Sequence, residues 1–503
     1  MRHLAFPVVS GLVFAAGVAG AAPSSTPTTN DDVDFRADGS VKVGDQVFPT
    51  REAYHHSAFF RESGARCGSR TPTMTAQLLA AGPADCGMNS TTINATYNDN
   101  RTLVIPVVFH VIKKSDGTTG NIPEALLRSQ IDILNEDFNA LANTPGAMGT
   151  NAKLQFVLAR LDPQGNPTTG IEYVTNNTYF NDPGSSGQNA MKRALKWDPT
   201  RYFNIYTNNA GGGGILGYAT FPAEEAGGQE DGVVLNWVYV GRNAPGGAPY
   251  DLGRTATHEV GHYLGLYHTF QSGCGSTASP YTTGDLISDT LREAQPNYGC
   301  TAVSSGCSGG GMSPIENYMD YSEDLCMTKF TPEQVNRIRC SMVNYRWVNT
   351  PPIANFTFAA NGLTATFTNS SSDAESMPMA LKYNWDFGDG MTSTDGNPMH
   401  TYAVAGTYNV KLEVIDPGSG SNIKTQSVMV TANEQPDAGA GTGSGSGDGP
   451  DAGVGGGGGN GGGDDDGGEE PAGCCDAPGS GVTGLVLGLP VLGLVLRRRR
   501  ARA

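Results

Sequence analysis

Positive charge is scarce in this chain: 32 Lys and Arg stand against 49 Asp and Glu among 503 residues, a formal net charge of -17. A nucleic-acid backbone rewards clustered Lys and Arg, and outside Arg497–Arg500 at the extreme end no such cluster is present. No nucleic-acid partner is expected, and an acidic surface of this kind mainly favours solubility. Long apolar runs are missing as well. Leu4–Val18 and Val482–Leu496 stand out, yet each is shorter than the roughly 20 residues of a stable membrane span. Histidine is rare, with eight in the whole chain, so histidines at a regular spacing carry information.

Glycine is plentiful, 69 residues, with 30 Pro and nine Cys. The length allows two or three folding units plus processing segments. Residues 1–22 combine Arg2, a short apolar run and Ala19-Gly20-Ala21, the pattern of a secretory signal peptide. Export permits disulfides. Residues 23–100 are polar without sustained apolar periodicity, so they read as a propeptide, a removable cover more than a domain. Regular structure begins after them, in a unit spanning 101–348. Leu103–Ile112 is a β-branched run fit for a buried strand, and Pro123–Leu141 carries Leu127, Ile131, Leu134 and Phe138 at helical spacing, with Asn121 as candidate cap. Further strands are expected at Leu154–Leu158, Phe203–Thr207, Ile215–Phe221 and Val233–Val240. Strands mixed with helices predict an α/β (α+β) layered domain. Residues 351–432 change to short alternating strands such as Leu363–Thr368 and Tyr408–Val414, the signature of a β-sandwich. Residues 433–473 are a Gly/Asp-rich linker, and 474–503 form a tail of Cys474-Cys475, a short apolar run and four arginines.

The chemical signal is HEVGHYLGLYH, His258–His268. Residues four apart share a helix face, so His258 and His262 can direct two imidazoles at one metal with Glu259 beside the open position. Gly265 can turn the chain in a left-handed conformation so that His268 arrives as third ligand. Three protein ligands leave a place for water. Zinc brings that water's pKa down towards ~7, and Glu259 is placed to act as general base. With so few histidines, the HExxH core alone arises by chance in roughly one chain in a hundred, and Gly265 with His268 reduces that further.

This extended motif resembles the metzincin clan. Ile315–Arg339 (IENYMDYSEDLCMTKFTPEQVNRIR) and the segments IPVVFHVI, ILNEDFN and GILGYATFP are similar to the pappalysin (M43) family, over about residues 102–347. The resemblance implies a metzincin domain with a mixed twisted sheet and an active-site helix. It makes Met319 the floor beneath the metal and Tyr321 the tyrosine that stabilises the tetrahedral intermediate. Spacing allows three pairings of the four cysteines after the helix; the family implies Cys274–Cys307 and Cys300–Cys326, leaving Cys340 unpaired or buried. Asp285, Ser288 and Thr290 match the position of a family calcium loop, a plain acidic loop being the alternative. Asp324 falls where members that cut before Arg carry an acidic residue, although a helix-capping carboxylate reads equally well.

Arg66-Cys67-Gly68 resembles a cysteine switch, in which the thiolate takes the metal's open position and keeps a proenzyme latent. A Cys67–Cys86 disulfide is the competing use of that thiol. WDFGDG and HTYAVAGTYNVKLEV, Trp385–Gly390 and His400–Val414, resemble the PKD domain, an immunoglobulin-like sandwich with Trp385 in its core. The tail resembles the MYXO-CTERM sorting signal and implies transient membrane contact. Together these imply a secreted or surface-borne bacterial zinc endopeptidase acting on proteins or peptides. The competing reading is a surface adhesion protein whose zinc is structural and whose PKD domain binds; an intact Glu259 and an open fourth position weigh against it.

Overall fold

A computed structural model of the chain describes residues 33–36, 38–70, 72, 100–181, 190–210, 214–222, 227–375 and 380–432. The expected signal peptide, the linker, the sorting tail and Cys86 lie outside the described residues. Among those described, no helix is long and apolar enough to cross a membrane.

The central sheet is built on β4 (Leu103–Lys113), whose first ten residues are all buried. A strand covered on both faces reads as a continuous apolar run, and this one does. Its first half pairs in parallel with β5 (Leu154–Leu158) and its second half with β6 (Ile171–Thr175). On its other side lie β7 (Phe203–Asn208) and then β9 (Val233–Asn236), again parallel. Among the described strands of this sheet only β8 (Gly217–Ala219) runs antiparallel, and it forms the edge. The mixed sheet expected from the resemblance is therefore present. The expected strand Val233–Val240 stops at Asn236, whose side chain caps a 3-10 turn over Trp237–Tyr239.

Helix Glu124–Phe138 presents Leu127, Ile131, Leu134 and Phe138 to the core formed with Ile105, Val107, Phe156 and Val260. Pro123, rather than Asn121, occupies its cap position, without a side-chain bond. The helix also buries a charge, Asp137. One oxygen accepts from the Tyr318 hydroxyl at 2.9 Å and lies 3.3 Å from Arg254, while the other accepts from Thr257 at 2.6 Å. Burial raises its pKa to about 6, against the lowering effect of Arg254. One carboxylate thus ties this helix to the helix Arg254–Tyr263 and to the loop at Tyr318.

Residues 33–63 hold more regular structure than their sequence suggests. A three-stranded meander, β1 (Val33–Phe35), β2 (Val41–Val43) and β3 (Gln46–Phe48), precedes two short helices, Arg51–His55 and Ala58–Ser63, capped by Thr50 and Ser57. Three-residue strands are too short for periodicity to register. Their core is completed by residues of the following domain, Leu216, Val238, Tyr239 and Tyr250, so this segment folds against that domain.

From Phe356 the chain forms two antiparallel sheets. One joins β10 (Phe356–Asn361), β11 (Thr364–Asn369) and β14 (Met399–Thr401). The other joins β12 (Lys382–Asp386), β13 (Thr392–Ser393), β15 (Gly406–Ile415) and β16 (Ser421–Val430). Between them Trp385 packs with Phe367, Val410, Leu412 and Val414 in one core. This is the expected sandwich with Trp385 buried. It is fastened to the first domain by Arg160, which donates to both oxygens of Glu413 at 2.6 and 3.2 Å.

Replacing Asp137 by Ala strands a buried guanidinium and two hydroxyls, and breaking a buried pair in this way costs about 3–5 kcal/mol. Chemical denaturation of Asp137→Ala should show a loss of that size; an unchanged midpoint would remove Asp137 from this role.

Candidate metal centre

The helix Arg254–Tyr263 is buried at every position, on its polar as well as its apolar side. It starts behind Gly253, which has a left-handed φ of 81°. A Cβ there would meet Ile133 Cδ1 at 2.6 Å, so glycine answers both the turn and the close approach. Asp324 Oδ2 accepts from the backbone N–H groups of Leu252 and Arg254, at 2.9 and 3.1 Å. The carboxylate therefore caps the start of the helix, where the macrodipole favours negative charge. After Tyr263 the chain turns through Gly265, φ 92°, and returns His268 to the helix.

His258, His262 and His268 converge. Nδ1 of His258 bonds the Tyr318 carbonyl at 2.7 Å, and Nδ1 of His262 bonds the Leu266 carbonyl at 2.7 Å. A carbonyl only accepts, so these Nδ1 atoms carry the protons and each Nε2 presents a lone pair. Burial keeps all three rings neutral, with the pKa of His262 lowered to about 4 and those of His258 and His268 pushed well below the usual value. His262 Nε2 lies 3.2 Å from His258 Nε2, 3.0 Å from His268 Nε2 and 3.5 Å from Cys67 Sγ. The lone pairs of His258 and His262, 3.2 Å apart, repel unless a cation lies between them. Tetrahedral nitrogen and sulfur coordination requires roughly 3.3 Å between nitrogens and 3.6 Å between nitrogen and sulfur. The donor set fits such a metal, with four ligand atoms within 4.8 Å of one another.

Met319 is fully buried against the same helix. Its sulfur fills the space where a side chain at Gly261 would stand. Tyr321 is buried against His268, ring centroids 4.9 Å apart and edge to face, with Phe270 and Tyr298 around it. Glu259 is buried, which raises its pKa to about 7. Its Oε2 accepts from the Ser69 hydroxyl at 2.7 Å and lies 3.5 Å from Cys67 Sγ, whereas Oε1 has no hydrogen-bonding partner among the described residues.

Cys67 is a free, buried thiol, so the alternative disulfide with Cys86 is not formed. Its segment lies along the edge strand: Leu216 N–H donates to the Ala65 carbonyl at 2.9 Å and Gly68 N–H to the Gly217 carbonyl at 2.8 Å. The neighbouring Arg66 is also fully buried. Its guanidinium lies 4.9 Å from the centre of the Tyr250 ring and reaches Thr255 Oγ1 at 3.5 Å and Met327 Sδ at 3.7 Å. Burial raises the pKa of Asp324, and the charges of Arg66 and then Arg254 oppose that rise. The sequence singles out neither Ser69 nor Asp137, and gives Arg66 no task beyond its motif. Adjacency to Cys67 is the available signal for Arg66 and Ser69; nothing in the sequence sets Asp137 apart from a surface carboxylate.

Among the described residues, no helix or strand of the main sheet intervenes between Tyr263 and Pro332. Disulfides Cys274–Cys307 and Cys300–Cys326 close this stretch, as the resemblance implies. Cys340, expected to be unpaired or buried, is buried and disulfide-bonded. At the expected calcium loop, Asp285 accepts from Ile287 N–H at 3.2 Å and from the Thr290 hydroxyl at 2.7 Å. Ser288 N–H donates to Glu333 at 2.8 Å. The guanidinium of Arg337 bonds the carbonyls of Asp285 and Leu286.

Known proteins resemble this chain in both domains. Residues 186–343 match the peptidase M43 family, described as pregnancy-associated plasma protein-A, and residues 349–432 match the PKD domain. An extracellular metalloprotease of Pyricularia oryzae is 32% identical over 300 residues, 58% of this chain and 93% of that protein. Extracellular metalloprotease 1 of Coccidioides posadasii is 35% identical over 48% of this chain and 78% of its own length. Among solved structures, promirolysin of Tannerella forsythia is 34% identical, covers 56% of this chain and 95% of its own, and has a TM-score of 0.44. With a zinc-binding sequence pattern on a buried helix, that family match and a relative covered almost end to end, the chain belongs to the M43 (pappalysin) family of metalloproteases, and a PKD domain follows its catalytic domain.

Proposed function

We propose that this protein is a secreted zinc endopeptidase, made latent, that cuts before basic residues. The observation that carries the reading is the convergence of three neutral imidazoles with a buried carboxylate beside them. His258, His262 and His268 would hold the zinc ion, which when bound polarises the scissile carbonyl and lowers the pKa of water. Glu259 takes the proton of the attacking water and passes it to the leaving amine. The Tyr321 hydroxyl is assigned the developing oxyanion. The edge strand β8 offers backbone groups to an extended substrate, as sheet edges do in peptide recognition.

Latency is supported by the pro-segment's use of the same edge and by Cys67 standing as a fourth donor. Specificity is supported by Arg66: a guanidinium already fits a buried pocket of Tyr250, Thr255 and Met327 near Asp324. A substrate Arg or Lys would replace it when the segment leaves. For attachment to the cell surface, the support is the sequence of the tail, residues 474–503.

Glu259→Ala should retain fold and zinc but lose about two orders of magnitude or more in peptide hydrolysis. Zinc content and turnover of a quenched peptide check it together, and turnover near wild type in a zinc-loaded variant would reject the mechanism. Asp324→Asn keeps an oxygen acceptor for the helix N–H groups while removing the charge. Charge-assisted bonds to a guanidinium contribute about 1.5–3 kcal/mol, so cleavage profiling of a peptide library should show the preference for Arg or Lys after the cut falling about tenfold to hundredfold. Wild-type enzyme without such a preference would sink the specificity proposal.

A further inference from the structure

The pro-segment touches the reacting groups at a second point besides its thiol. Ser69 Oγ is 2.7 Å from Glu259 Oε2 and 2.8 Å from the backbone nitrogen of Ala219. The Ala219 N–H can only donate, so the serine hydroxyl accepts there and must spend its own hydrogen on the carboxylate. Its geometry is fixed from both sides. Ser69 N–H in turn donates to Cys67 Sγ at 3.4 Å, so one residue orients both the thiol and the carboxylate. The approach is tight. A Cβ at Gly217 would meet Glu259 Cγ at 2.9 Å, which confines the Glu259 side chain between the edge strand and Ser69.

We infer that Ser69 is a second latency element, one that occupies the general base while Cys67 occupies the metal position. The inference rests on the proposed roles of Cys67 and Glu259 and goes beyond them, because it assigns a distinct task to a residue outside the Arg66-Cys67-Gly68 motif. No covalent bond is made or broken: a hydroxyl donates to the carboxylate oxygen that a substrate water would otherwise use. Release of the segment then requires the thiol–metal contact and the Ser69–Glu259 hydrogen bond to open together, which couples exposure of Cys67 to exposure of the base. Ser69 is a positioning residue, so its effect should depend on Glu259.

The test is a double-mutant cycle on the full-length, zinc-loaded precursor, with the rate of Cys67 alkylation by iodoacetamide followed by intact mass. Hydrogen bonds to charged groups are strong enough for Ser69→Ala to raise that rate about tenfold in the chain carrying Glu259. In the Glu259→Ala chain the same change should raise it little, and Ser69→Thr should stay near wild type. Equal acceleration in both backgrounds would overturn the inference, because Ser69 would then act only through Ala219. A wild-type rate that is the same with and without zinc would instead overturn the thiol–metal reading on which the inference rests. The two failures are therefore distinguishable.

Discussion

The arrangement depends on burying one helix completely. Arg254–Tyr263 carries two ligand candidates and the general-base candidate, yet it is enclosed on every side. A buried polar group without a partner costs free energy comparable to a lost hydrogen bond, and a buried charge costs more. Each polar group on this helix therefore dictates something around it. Arg254 and Thr257 require Asp137, the N-terminal amides take Asp324, and the two Nδ1 atoms take carbonyls from Tyr318 and Leu266. Those carbonyls fix which nitrogen of each ring faces the metal, the kind of outer-shell hydrogen bond that orients metal ligands.

The same demand explains the long stretch after the helix. Segments of this length without regular structure are uncommon in compact domains unless they serve a site. Here the stretch returns His268, packs Met319 against Gly261 of the helix and Tyr321 beside His268, and is closed by two disulfides. Cross-links of this kind restrict the unfolded chain more than they add contacts. They let an irregular segment hold side chains in place.

An edge strand offers unpaired backbone groups that natural proteins must cover or control. β8 stands beside the candidate metal centre, so a segment paired with it also lies close to Glu259. Residues 65–69 pair with it through main-chain bonds, while Cys67, Arg66 and Ser69 meet three different features: the imidazoles, the Tyr250 pocket and the general-base candidate. The preceding meander and helices complete their own core against Leu216, Val238, Tyr239 and Tyr250. Their stability depends on remaining docked.

His258, Glu259, His262 and His268 were legible in the sequence because their relation is local: a helix repeat and one glycine turn place them. Buried β4, helix Glu124–Phe138 and the sandwich strands were legible for the same reason, since periodicity within one segment reports which face is covered. The meander at residues 33–48 was not, because three-residue strands carry no period and their apolar partners, Leu216 to Tyr250, lie far along the chain. Asp137 and Ser69 are ordinary polar residues in sequence, and only the tertiary structure gives them distinct surroundings; Asp324 stood out through the family resemblance, and the fold adds its bonds to the Leu252 and Arg254 amides. Asp137 meets Arg254 across 117 positions and Ser69 meets Glu259 across 190. Local spacing determined which side chains could hold a metal; folding decided which distant groups hold those side chains, because hydrogen bonds across the fold depend on where the backbone returns and not on neighbours along the chain.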